Sequence, residues 1–198
     1  MKTIHRLALA ALLPLGACAD AAPTETAAAP AGPSAVMAPS PACITFGPPP
    51  PAWTVWGAPV PQAPGTVVHT EASIPVTVEQ FNDGLGWVYN MARIEPAASI
   101  GWGTANSLHL LGISTRYHFM APGGWMPNRV RFRYQDLGGI ENLAINGALY
   151  VGDISTAPAA LGGTTVTVFP GGVDIVGPVR DLLIGGRDFR VDDVCAMP

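Results

Sequence analysis

Asn128-Arg129-Val130-Arg131-Phe132-Arg133-Tyr134 is the stretch on which the fold of this chain turns. Apolar residues recur at every second position and arginines fill the places between, a period of two that suits a pleated strand and not a helix. Val130, Phe132 and Tyr134 are therefore expected on a buried face, with Arg129, Arg131 and Arg133 on the opposite one. The same signal recurs on both sides. Upstream, residues 67–81 alternate with Ile74, Val76 and Val78 on one face. Residues 87–94 and 107–120 follow as further runs, the latter with a bend expected at Gly112. Downstream come residues 142–145, 164–169, 173–176, 179–184 and 189–194. Gly138-Gly139, Asn146-Gly147, Gly162-Gly163, Pro170-Gly171 and Gly185-Gly186 punctuate these runs with turn chemistry. No window of a dozen residues keeps a helical apolar stripe unbroken by Gly or Pro. Many short strands at regular spacing predict an all-β domain, a two-sheet sandwich or a barrel.

The N-terminal region reads differently. Lys2 and Arg6 precede an apolar run over residues 7–15 that is too short for a permanent membrane span. Leu15-Gly16-Ala17-Cys18 resembles the bacterial lipobox. That resemblance implies a signal peptide over residues 1–17 and lipidation of Cys18. An ordinary signal peptide cut after Ala17 or Ala19 is the alternative. Several acyl chains, at about 0.8 kcal/mol per buried methylene, make a stable anchor. Residues 18–41 are dominated by Ala, Pro, Ser, Thr and Gly with no aromatic residue, so a disordered tether is expected there. Residues 42–198 then form one domain of ordinary size.

Three cysteines occur: Cys18, Cys43 and Cys195. With Cys18 lipidated, the other two form an even pair at the two ends of the domain. In an exported protein a disulfide is their expected state. Beyond the signal peptide, eight arginines face fourteen acids and no lysine, a net charge of about −6. No basic stripe of the kind that binds nucleic acid is present.

Val130-Arg-Phe-Arg-Tyr-Gln-Asp-Leu-Gly-Gly-Ile-Glu-Asn-Leu-Ala-Ile-Asn-Gly-Ala-Leu-Tyr-Val-Gly-Asp-Ile154, with the ending from Val179 to Ala196, resembles secreted bacterial β-sandwich domains of the jelly-roll, galactose-binding-like type. The similarity spans roughly residues 43–196. It rests on an Asn-apolar-x-apolar-Asn-Gly hairpin at residues 142–147 and a last strand carrying Asp192-Asp193. It implies a jelly-roll-like antiparallel sandwich, carbohydrate as a common ligand, and a structural calcium held partly by acids of the first and last strands. Asp192 and Asp193 match the last-strand acids, whereas Ile44-Thr45-Phe46 runs into Gly47 rather than an acid.

Catalytic motifs are not legible: there is no G-x-S-x-G, no H-E-x-x-H, no phosphate loop and no C-x-x-C. His69, His109 and His118 suggest zinc only with a third ligand that spacing does not identify. Glu95, Asp136 and Glu141 are the first suspects for an acid pair. Trp102 and Trp125 sit beside glycines, where an indole either stacks on a sugar ring or plugs the end of the core. Asn106 and Arg116 are candidate hydrogen-bonding partners for that sugar. Arg129, Arg131 and Arg133 form either a strip for an anionic ligand or a solvated face paired with acids of neighbouring strands. Trp53 and Trp56 are expected to pack the Pro-rich first segment onto the domain.

The resulting expectation is a cell-envelope lipoprotein, lipid-anchored to a membrane, that displays a binding module with glycan as its ligand class. Ala19 after the lipidated Cys points to the outer membrane of a two-membrane bacterium. Two alternatives stand beside it: an assembly lipoprotein that binds another envelope protein, and an envelope hydrolase.

Overall fold

A computed structural model of the chain describes residues 40–47, 50–96, 106–120 and 125–198, all within one compact unit, residues 37–198. Cys18, Trp102, the expected signal peptide and most of the expected tether lie outside the described residues. The strands in chain order are β1 (Ala42–Ile44), β2 (Val55–Gly57), β3 (Val67–Glu71), β4 (Ile74–Glu79), β5 (Phe81–Asn82) and β6 (Trp87–Val88). Next come β7 (Met91–Pro96), β8 (Asn106–Leu111), β9 (Ile113–His118), β10 (Arg129–Asp136), β11 (Glu141–Ile145) and β12 (Ala148–Gly152). After a single 3₁₀ turn (Ile154–Thr156) follow β13 (Ala160–Leu161), β14 (Thr164–Phe169), β15 (Gly172–Val176), β16 (Asp181–Gly186) and β17 (Phe189–Met197).

These strands build an antiparallel β-sandwich. Sheet A has nine strands in the order β13-β14-β15-β10-β17-β8-β7-β2, with β1 lying beside the second half of β17. Sheet B has six, ordered β12-β11-β16-β9-β4-β3. Each sheet turns one face inward, and the two faces share a single core. Ile44, Leu108, Val130, Phe132, Ile175 and Phe189 come from sheet A; Val76, Val78, Tyr117, Leu143 and Ile184 come from sheet B. Burying a side chain of this size contributes roughly 1.5–3 kcal/mol each, which makes the alternation of the strands the main source of the fold.

In β10, Val130, Phe132 and Tyr134 are buried while Arg131 and Arg133 are exposed and Arg129 half-buried. Gly112 does more than bend the chain. At φ +67° it carries the backbone out of sheet A at the end of β8 and into sheet B at the start of β9. Residues 67–81, which alternate as one run, instead fold into the hairpin β3–β4. Its turn is Ala72-Ser73, both in the left-handed region at φ 49° and 63°. Neither residue favours that conformation, so the turn has no Gly or Asn signal in the sequence. Residues 148–152 form β12 as the return arm of the Asn146-Gly147 hairpin.

Cys43 and Cys195 face each other directly in the β1–β17 register and form a disulfide with Cα atoms 4.0 Å apart. The bridge ties the first described strand to the last.

Candidate functional site

An open groove of about 720 Å³ runs across the outer face of sheet B. It forms because the alternation that sends Val76, Val78, Tyr117 and Leu182 inward sends Thr77, Arg116, His118 and Asp181 outward on three adjacent strands. Their side chains make one row, linked by hydrogen bonds and by the Arg116–Glu79 ion pair. His118 Nε2 lies 3.0 Å from Thr77 Oγ1, and that hydroxyl is 3.0 Å from Glu79 Oε1. Arg116 Nη1 donates to Asp181 Oδ1 at 2.5 Å, and its Nε lies 3.7 Å from Glu79. Burial, and then the neighbouring Arg116, pull the His118 imidazole below its usual range against the opposing pull of Asp181 and Glu79. A neutral imidazole both donates and accepts hydrogen bonds. Pro75, Met120 and Val67 form the apolar rim, with Asn146 and Arg180 on the far side.

A second cavity of about 330 Å³ adjoins the first through Arg116 and Gly147. Ala144, Leu183, Leu149 and Trp87, which is 56% exposed, line it together with Glu79, Gln80 and Arg116. The hairpin β5–β6 holds Trp87 there. Phe81, fully buried, packs over Gly185, where a Cβ would come within 3.0 Å of its ring and 2.1 Å of Ser114 Oγ. Asn142 clamps the same hairpin from below. Its Oδ1 accepts from Asn82 N at 2.7 Å and its Nδ2 donates to Asn82 O at 2.8 Å. Polar groups therefore line both cavities, and an exposed indole stands in the second.

Sequence reasoning singled out Arg116 and missed Trp87. Trp87 follows Gly86 in Gly84-Leu85-Gly86-Trp87, so the glycine criterion applied to Trp102 and Trp125 points to it equally. The structure does not bring Trp125, Asn106 and Arg116 together. Trp125 is half-buried and packs against the core beside Phe119, Ile74 and Ala196. Asn106 is buried in sheet A and donates to Phe46 O at 2.7 Å. Trp56 is buried and stacks on His69, whereas Trp53 stays 55% exposed beneath the Arg93 guanidinium.

On the outer face of sheet A the arginine ladder meets its own acids. Arg129 grips Asp174 through two hydrogen bonds of 2.8 and 2.6 Å, and Arg131 lies 3.6 Å from the same carboxylate and over the Phe169 ring. Arg133 pairs with Asp193 at 3.4 Å. A depression of about 680 Å³ around Phe169, Pro170 and the disulfide opens beside them. The three arginines of the ladder face two carboxylates within the sheet, Asp174 and Asp193.

The last-strand acids part company. A bulge opposite Arg131 and Arg133, with Asp193 at φ 50°, leaves Asp193 beside Arg133 and Asp192 fully buried, its Oδ1 taking the Asp193 N–H at 2.8 Å. Among the described residues these two acids join no cluster of three metal-type ligands.

The histidines occupy three separate settings. His69 bonds Glu71 at 3.1 Å, and His118 lies in the groove. His109 sits between Glu95 (Nδ1, 3.0 Å) and Asp188 (Nε2, 2.6 Å), so both ring nitrogens are engaged by carboxylates. Burial pushes Glu95 up, but hydrogen bonds from Arg93, His109 and Arg190 outweigh it and hold the carboxyl at about 2. Ser107 Oγ is buried near this network without a hydrogen-bond partner. Both His109 ring nitrogens face carboxylates and neither bonds that hydroxyl, so the arrangement reads as structural.

Neither protein-family models, nor curated proteins, nor solved structures match this chain significantly.

Proposed function

We propose that this chain is a lipid-anchored protein of the bacterial cell envelope whose β-sandwich binds glycan in the groove on the outer face of sheet B. The observation that carries the reading is an exposed indole beside a row of polar side chains along that groove. An exposed indole offers a flat apolar face for a sugar ring, and the Thr77, Arg116, His118 and Asp181 row offers paired donors and acceptors for its hydroxyls. The resemblance of residues 43–196 to jelly-roll, galactose-binding-like domains points to the same ligand class. The lipobox at Leu15 to Cys18 supplies the anchor, and Ala19 directs it to the outer membrane. Loss of palmitate-analogue labelling in Cys18→Ser is expected, and retained labelling would refute the anchor.

Binding of the full chain to a glycan array, weakened severalfold in Arg116→Ala and Trp87→Ala while both variants stay folded, is the expected outcome. Array signals undiminished in both variants would remove the groove from the account.

One observation favours a second reading, an assembly lipoprotein that docks on another envelope protein. Leu85, at the tip of β5–β6, is 96% exposed beside the exposed Trp87 and Val88. An apolar tip of this kind suits a protein contact. A photocrosslinker at Leu85 that captures one defined envelope protein in cells, with no glycan binding on the array, would favour this second reading over the first.

A further inference from the structure

Glu141 opens β11, where its neighbours in register are two glycines, Gly152 of β12 and Gly186 of β16. It is fully buried, and one oxygen, Oε2, accepts the Ile154 N–H at 2.9 Å. The other, Oε1, is buried with no hydrogen-bond partner. A buried carboxylate oxygen left without a donor costs free energy that native structures rarely leave uncompensated.

Two more carboxylates converge on this one. Asp136 ends β10 and Asp153 follows β12, and each contributes an oxygen to a group whose members, with one from Glu141, all lie within 4.8 Å of one another. Both aspartates are solvent-exposed and cover the buried glutamate. Local hydrogen bonds fix them: Asp136 Oδ1 accepts from Gly138 N, and Asp153 Oδ1 accepts from the Ser155 N and Oγ. Burial first, and then both aspartates, push the Glu141 carboxyl up to about 7 against the Ile154 hydrogen bond. No arginine or histidine makes an ion pair with any of the three among the described residues.

A glycosidase pair would need a sugar to reach Glu141, which has no exposed surface. A bare cation is small enough to enter between the two exposed aspartates. We propose that Asp136, Glu141 and Asp153 bind a calcium ion. All three donors are hard carboxylate oxygens, with no imidazole or thiolate to favour zinc. Oxygens that all lie within 4.8 Å of one another can reach a common ion that takes oxygens at about 2.4 Å. The ion would join the end of β10 in sheet A to the β11–β12 hairpin of sheet B. The site is separate from the Asp192-Asp193 pair of the last strand and from the groove.

The test titrates the full chain, stripped with chelator, with calcium chloride under calorimetry and thermal melting. One ion per chain is expected, with a rise in Tm of about 5–11 °C at a hundredfold excess over Kd and a smaller rise with magnesium. Asp136→Asn/Asp153→Asn, at two exposed positions, should abolish both signals. Glu141→Gln should abolish binding while melting, without metal, no lower than the stripped wild type, because it removes a repelled charge and can keep the Ile154 hydrogen bond. Absence of heat and of a Tm shift at millimolar calcium overturns the proposal, as does a shift that survives in the double variant. So does a Glu141→Gln protein that binds calcium or melts lower than the stripped wild type.

Discussion

The outer faces of the two sheets carry similar side chains and use them differently. On sheet A, Glu95 is enclosed and shared by Arg93, His109 and Arg190. On sheet B, Arg116 also has two acids, Glu79 and Asp181, yet all three remain about a quarter exposed along an open groove. Enclosure converts charge into stability, because a carboxylate removed from water depends on its partners. Exposure leaves the same chemistry free to exchange a protein partner for a ligand hydroxyl. Face A encloses the Glu95 network, and face B leaves Arg116 and its two acids along an open groove.

The largest expected effect on face A is loss of its disulfide. The 152-residue separation between Cys43 and Cys195 corresponds to about 5 kcal/mol on the chain-entropy model. Cys43→Ala/Cys195→Ala should lower Tm by roughly 10–20 °C, measured by calorimetry. A drop below about 2 °C would show that face A depends little on the bridge.

Glu95→Ala comes next. It strands two arginines and a histidine and should cost about 3–5 kcal/mol in denaturant melts, whereas Glu79→Ala on face B should cost about 1 kcal/mol or less. Equal costs would break the comparison. The Glu95 contribution also sets an acid dependence. Its folded pKa is depressed from 4.5 to about 2, so its stabilisation, on the order of 3 kcal/mol, is present above pH 4.5 and lost as pH falls through 2. Glu95→Gln should flatten that limb of the stability–pH curve.

Trp87→Ala should be the mildest change to the fold, within about 0.5 kcal/mol of wild type, while weakening glycan binding severalfold through the loss of roughly 0.5–1.5 kcal/mol of stacking. A melting loss of several degrees would instead make Trp87 part of the packing.

The architecture was legible wherever a period or a turn residue announced it. Val130, Phe132 and Tyr134 turned inward as the alternation requires, Gly112 marked the crossover, and the terminal cysteines met across β1 and β17. The Ala72-Ser73 turn was not legible, since tertiary pairing of β3 with β4 imposes left-handed backbone on residues that do not seek it. Site residues were harder, because a site is made by strands distant in sequence. Arg116 stood out alone, but its row needs β4 and β16 beside β9. Asp136 and Glu141 were suspects as an acid pair with Glu95, yet Glu95 lies among cations and the third carboxylate is Asp153. Asp192 and Asp193 adjoin in sequence, and at the bulge one is fully buried while the other lies beside Arg133.

The most direct measurement is a ¹H–¹⁵N chemical-shift map of the full chain during titration with an array-positive oligosaccharide. The account predicts perturbations confined to β4, β9, β16, the Asn146-Gly147 turn and the Trp87 indole, with the amides around Asp174 and Glu95 unmoved. Perturbations centred on the arginine ladder of β10, or absent from β9, would contradict it.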